Sequence, residues 1–236
     1  MEEKNQKKRI EIKKFCLILH RKTKSVQKMQ IESNLGRTKK SILEVARELF
    51  DRFGYDKTSM NDIAKRSHKA KGSIYYNFNG KIDIFKSLVE QEFASIKTNL
   101  TESCQIDDET DVTGEKIIDY LKLRMELFDK ASMVKQTVMA QYYETSHEIL
   151  AAAEAIRKDF DQWEWQLFHH ICDLGKQTGV LTSEIEPNVF ADMLQMLLKA
   201  LEIQFFAKNE YEKSKSTYES MVGFLLNDLK QQTKIS

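Results

Sequence analysis

Between residues 38 and 86 the apolar side chains recur at helical steps, break, and resume on a short segment whose outer side is almost wholly polar. Ile42, Leu43, Ala46, Leu49, Phe50 and Phe53 follow at three- and four-residue intervals, which puts them on one buried stripe of a helix. Thr38 is placed to cap its start, and Gly54 to end it in a left-handed conformation. Ser59 followed by Asp62 has the capping-box spacing, so a second helix is predicted from Met60, burying Ile63 and Ala64. After a break at Ser67-His68-Lys69, a third helix is predicted over about 70–77, anchored inward by Ile74 and Phe78. Gly80 then caps a fourth helix, with Asp83 favoured by its N-terminal dipole. A short exposed helix rich in Lys, Ser, Tyr and Asn, held by a turn against another helix, fits a DNA major groove.

The rest of the chain is compatible with helices and little else. One proline, Pro187, and eight glycines occur in 236 residues, and alternating strand patterns are missing, so the expected class is all-α. Cys16, Cys104 and Cys172 lie far apart without CxxC spacing, which points to a reduced cytoplasmic setting and no metal site. The apolar run at 15–19 is too short for a secretory signal. The longest apolar stretch, 193–207, is interrupted by Gln195, Lys199, Glu202 and Gln204, so no membrane span is expected.

Charge is polarised along the chain. Residues 1–37 carry +7, residues 38–86 carry +5 and residues 87–236 carry −11. One end is therefore attracted to phosphates and the other repelled.

The block at 38–86 resembles the tetracycline-repressor (TetR) family of bacterial transcription regulators. The matching residues are Ile42-Leu43, Ala46, Leu49-Phe50, Gly54-Tyr55, Thr58-Ser59, Asp62-Ile63-Ala64, Lys71-Gly72-Ser73-Ile74-Tyr75-Tyr76-Asn77-Phe78 and Lys81, within about 49 of the 236 residues. Two departures fall near the turn: Ser67-His68 stands where the family commonly has Ala-Gly, and Ala70 where a small hydroxyl residue often caps the recognition helix. A position needing positive φ suits Gly best, although His visits that region more than most residues.

Helix-turn-helix geometry makes Lys71, Ser73 and Tyr76 the base-reading candidates, with Gly72 allowing close backbone approach. The resemblance places Tyr75, Asn77 and Lys81 against phosphate, and Ser59 and Asn61 at the start of the supporting helix. It also implies a homodimer, a double-stranded DNA operator as partner, a small-molecule effector, and repression as the mode of control. Three regions are expected: a basic extension over 1–35, a DNA-binding domain over 36–86, and a helical effector-binding and dimerisation domain over 87–236. Family members commonly begin some ten residues before the first helix, and Met29 stands nine before Thr38. Met29 is therefore the expected native start, with residues 1–28 an extension; a basic arm tracking phosphates is the rival reading. Residues 1–35 are expected to be poorly ordered or at most partly helical.

Beyond residue 86, helices are predicted over about 81–100, 115–129 and 131–144, with a polar loop over 101–114. Ile149, Ala153, Ile156, Phe160, Trp163, Leu167, Ile171 and Leu174 define a long helix that ends near Gly175 and Gly179. Pro187 suits the first turn of the next. Phe190, Leu194, Leu197, Leu201 and Phe205 line one late helix, and Tyr218, Met221, Phe224 and Leu225 another. Stripes this wide suggest a dimer interface. Met125, Phe128, Met139, Tyr142, Tyr143, Trp163 and Phe168 are candidates for an effector pocket suited to an apolar or aromatic molecule. His169-His170 near Glu164 and Asp161 match no metal or acid–base pattern, so no enzyme and no cofactor is expected. The alternative is a helical ligand-binding or protein-interaction module that does not bind DNA.

Overall fold

The computed structural model describes residues 36–104, 114–179, 181 and 184–231, with the backbone alone described over 225–231. The expected extension at 1–35 and most of the acidic loop at 101–114 lie outside them. Nine α-helices and no strand occur among the described residues. They are α1 (Arg37–Phe53), α2 (Met60–Arg66), α3 (Lys71–Asn77), α4 (Lys81–Cys104), α5 (Gly114–Lys130), α6 (Ser132–Tyr142), α7 (His147–Thr178), α8 (Pro187–Glu202) and α9 (Tyr211–Gln231). A π-helical turn, Ile203–Ala207, extends α8. No described helix is long and apolar enough to cross a membrane.

Helices α1, α2 and α3 form a small head. The α1 stripe buries Ile42, Leu43, Ala46 and Phe50 as its spacing predicted, whereas Leu49 is half-buried and Phe53, in the last turn, is exposed. Its start differs: Gly36 is the N-cap, makes no side-chain cap, and leaves Thr38 inside the first turn. Gly54 ends α1 at φ 81° and ψ 163°, a region beyond the left-handed helix that only glycine occupies readily.

The fourth helix runs without interruption from the head into the body, so the boundary expected at 86/87 falls inside α4. Residues 101–104, predicted as loop, continue this helix, and the Thr101 hydroxyl satisfies the Lys97 carbonyl at 2.7 Å. In the body, α7 packs against α8 and α4, α5 against α4 and α9, and α6 against the π-helical turn. The long α7 ends at Gly179, which is left-handed at φ 75° and ψ 15°.

The body core is aromatic around a buried ionic cluster. Phe93, Phe128 and Phe160 pack with centroids 5.0–6.0 Å apart. Beside them Arg124, fully buried, donates to Glu164 at 2.5 and 3.0 Å and to Glu202 at 2.7 Å. The Tyr120 hydroxyl also donates to Glu164, at 2.8 Å. Arg157 grips Glu202 with both terminal nitrogens and Asp161 with its Nε. Burial alone would push the Glu202 carboxyl up, but the Arg157 and Arg124 guanidiniums hold it below the usual carboxylate range.

Candidate nucleic-acid interface and effector groove

The recognition helix α3 is positioned from both ends. At its N-terminal side α2 begins with a complete capping box: the Ser59 hydroxyl accepts from the Asp62 amide at 3.2 Å, and Asp62 accepts from the Ser59 amide at 3.0 Å. The Ser59 hydroxyl and amide together hold the Asp62 carboxyl below its usual value. The turn closes through Ser67 and Lys69 amides donating to the Ile63 and Ala64 carbonyls. His68 takes φ 53°, so it occupies the left-handed position the sequence pointed to. The turn geometry is complete despite Ser67-His68. Ala70 is the N-cap of α3 and offers no side-chain cap. Ile74 and Phe78 are buried and fasten the helix to the core.

The outward face of α3 is free. Tyr76 is 91% exposed and Tyr75 47% exposed; neither ring is buried in the head. Lys71, Gly72 and Asn61 are exposed, and Ser73 is half-buried beside them. Three other predicted contact residues are engaged within the protein. Ser59 serves the capping box, and Asn77 donates its amide to the Ser73 carbonyl at 2.8 Å. Lys81 donates to the Tyr55 carbonyl at 2.7 Å with its ammonium 3.9 Å from that ring's centre. In this structure Lys81 therefore clamps the turn after α1. Lys39, which the pattern did not single out, stands 5.2 Å from the Phe78 ring centre at the end of α3. Its only sequence signal is its place in the basic run at the start of α1.

Within the body, a groove of about 1050 Å³ opens between α6, α7 and α8. Thr137, Val138 and Gln141 form one wall, Gln195 and Lys199 the other, and one face of α7 from His147 to Gln166 the floor. Val138, Leu150, Ala151 and Ala153 supply apolar surface, and Trp165 lies along the floor. Lys158 and Glu154 stand exposed on the floor, while Lys199 bonds Asp161 at 2.8 Å.

None of the seven predicted pocket residues lines this groove. Met125, Phe128 and Phe168 are fully buried in the core. Trp163 is half-buried, with the Lys97 ammonium 4.9 Å from its ring centre. Met139, Tyr142 and Tyr143 are exposed near the end of α6, where the Tyr143 hydroxyl donates to the Ala207 carbonyl at 3.2 Å. The aromatic stripe built the core, and the groove took the polar face.

The late helices are also redistributed. Phe190, Leu194, Phe205 and Tyr218 pack inside the protomer, which corrects their reading as surface for a second copy. Leu197, Leu201 and Met221 are half-buried, and the side chain of Leu225 lies outside the described residues. Phe224, also predicted there, is exposed, as are Val189, Met193 and Met196 on α8. Of the acidic residues near the two histidines, Glu164 serves Arg124 and Asp161 serves Arg157 and Lys199, while His169 lies 3.6 Å from Asp173.

A sequence profile of the family described as bacterial regulatory proteins, tetR family, matches residues 42–88, the segment that carries this head. The head thus carries the sequence of a tetR-family DNA-binding segment. The regulator QacR of Staphylococcus aureus is 41% identical over 54 residues, which is 23% of this chain and 29% of QacR. The first relatives matched are thus covered over less than a third of their own length. IcaR of Staphylococcus epidermidis, a negative transcriptional regulator of the biofilm operon icaADBC, is 26% identical across 80% of this chain and 97% of its own. Among solved structures, FadR of Bacillus subtilis in complex with stearoyl-CoA superposes with a TM-score of 0.59 at 19% identity. The overlay covers 79% of this chain and 96% of FadR. The similarity to FadR is one of fold.

Proposed function

We propose that this chain is a TetR-family regulator: a ligand-responsive, sequence-specific transcriptional repressor that acts in the cytoplasm as a homodimer on a palindromic operator. The observation that carries the reading is α3: a helix fixed by Ile74 and Phe78, with Tyr76 standing almost wholly in solvent beside Lys71 and Gly72. Such a helix presents its N-terminal side chains to base edges, while surrounding cations grip phosphate. The exposed apolar side chains of Val189, Met193 and Met196 on α8 and of Phe224 on α9 support pairing with a second copy. The groove between α6, α7 and α8 supports an amphipathic effector, whose apolar part rests on Leu150 and Ala151 and whose polar part meets Lys158 and Lys199. This narrows the apolar or aromatic molecule expected from the sequence.

Selection from randomised duplexes tests the reading, followed by gel shift with DNA upstream of the chain's own gene. A paired motif is expected, its half-sites about 34–36 Å apart or a multiple of that. Failure to enrich any sequence would refute sequence-specific binding. A monomeric mass by light scattering at micromolar concentration would refute the dimer.

A further inference from the structure

The groove and the DNA-reading head meet at one turn of helix. His147, Leu150 and Ala151, in the first two turns of α7, line the groove. Glu148, beside them in sequence, instead accepts the Tyr55 hydroxyl of the head at 2.7 Å.

Local structure holds this turn weakly. Ser146 at the N-cap makes no side-chain cap. Glu144 and Ser146 lie at φ 51° and 49°, a region that costs non-glycine residues energy and marks segments kept in place by their surroundings. The same link leads back into α6, whose Thr137, Val138 and Gln141 form a groove wall. From α6, Gln136 donates to the Phe50 carbonyl of α1 at 3.3 Å. Both elements that enclose the groove at this end therefore also touch the head.

On the head side Tyr55 is well anchored. Its ring centre is 5.5 Å from that of Phe50 and 5.2 Å from that of Phe85, and the Lys81 ammonium covers it. Its hydroxyl reaches the body at Glu148. Burial and the Glu148 carboxylate both push that hydroxyl's pKa well above the usual tyrosine value, so it stays a donor across the working pH range.

Resting on the regulator reading above, we propose that Tyr55 and Glu148 are the latch through which groove occupancy reaches the head. A molecule wedged against Leu150 and Ala151 displaces the first turn of α7. The Tyr55 hydroxyl then loses its acceptor, and the head leaves its DNA-competent orientation. A ligand that binds the unlatched arrangement better shifts the population by its differential affinity. Loss of one hydrogen bond to a charged group corresponds to about tenfold in such an equilibrium.

Hydrogen–deuterium exchange on the full chain tests this, read on peptides covering residues 37–78. Ala151→Trp places an indole in the groove as a built-in occupant, and Ala151 is exposed, so the core is not crowded. Tyr55→Phe keeps the packed ring and removes the hydroxyl alone. Each variant is expected to speed head exchange about tenfold, and the double variant to be no faster than either single one. Additive effects would overturn the latch, as would a Tyr55→Phe head that exchanges like the wild type. So would an Ala151→Trp head that stays protected while Tyr55→Phe loosens it. No DNA is involved, so a chain that selects no operator would refute the regulator reading and leave this outcome standing.

Discussion

The Lys81 ammonium lies 3.9 Å from the centre of the Tyr55 ring while donating to the Tyr55 carbonyl at 2.7 Å. A cation in that position stabilises the turn between α1 and α2. Lys81→Met, which keeps the aliphatic stem, is expected to cost about 1–2 kcal/mol of stability from the lost charge-assisted bond and cation–π contact. The slope of log K against log salt for DNA binding should stay unchanged. Urea denaturation and salt-dependent anisotropy check the two halves, and a flattened salt slope would restore Lys81 as a phosphate contact.

Tyr76 presents the opposite case. Almost nothing of it is buried, so Tyr76→Ala should leave the melting temperature within error while weakening binding to the selected sequence by about 1–3 kcal/mol. Affinity for random duplex should change less. Equal losses on both DNAs would argue that the ring touches backbone only.

Arg124 sits between Glu164 and Glu202 with no access to water. Arg124→Met would leave two buried carboxylates short of a partner and is expected to cost about 3–5 kcal/mol. Chemical denaturation measures this directly. A loss below about 1 kcal/mol would mean the cluster relaxes to admit water.

The same cluster sets an acid limit. Glu202 titrates lower in the folded protein than in the unfolded chain. Its contribution is therefore present above the ordinary carboxylate range and is lost as pH falls through the depressed folded value. Urea midpoints taken from pH 7 down to pH 3 should fall, and Glu202→Gln should be less stable at pH 7 yet show a shallower fall. Parallel curves for the two proteins would assign the acid limb to other carboxyls.

Gly175 reverses the usual rule for helix glycines. A Cβ there would come within 2.8 Å of Leu181 Cγ and Cδ1, and the Leu181 amide is bonded to the Gly175 carbonyl at 3.0 Å. Gly175→Ala gains about 1 kcal/mol in helix propensity. Overpacking costs about 1–3 kcal/mol. A net loss of stability is expected, and a raised melting temperature would show that Leu181 moves aside freely.

Local chemistry was legible in the sequence and long-range partnership was not. The Ser59–Asp62 box, the Pro187 start and the Gly179 stop depend on residues within four positions of each other, and each stands where its spacing put it. The groove floor was hidden because His147, Ala151, Glu154, Lys158 and Gln162 recur every three or four residues as any solvated face does. Only the neighbouring α6 and α8 make that face concave. Arg124 left a clue, since it falls in register with Ile117, Leu121 and Phe128 on an otherwise apolar stripe. Its acceptors, Glu164 and Glu202, lie 40 and 78 residues away, and no short-range pattern joins them.

The unbroken course of α4 has a mechanical consequence. Its 24 residues form a lever about 36 Å long, at 1.5 Å of rise each. Tilting the body end by about 5° swings the other end through about 3 Å, close to the 3.4 Å between successive bases of one strand. A shift at the body that is smaller than a side chain can therefore move the reading surface by a full step of the sequence it reads.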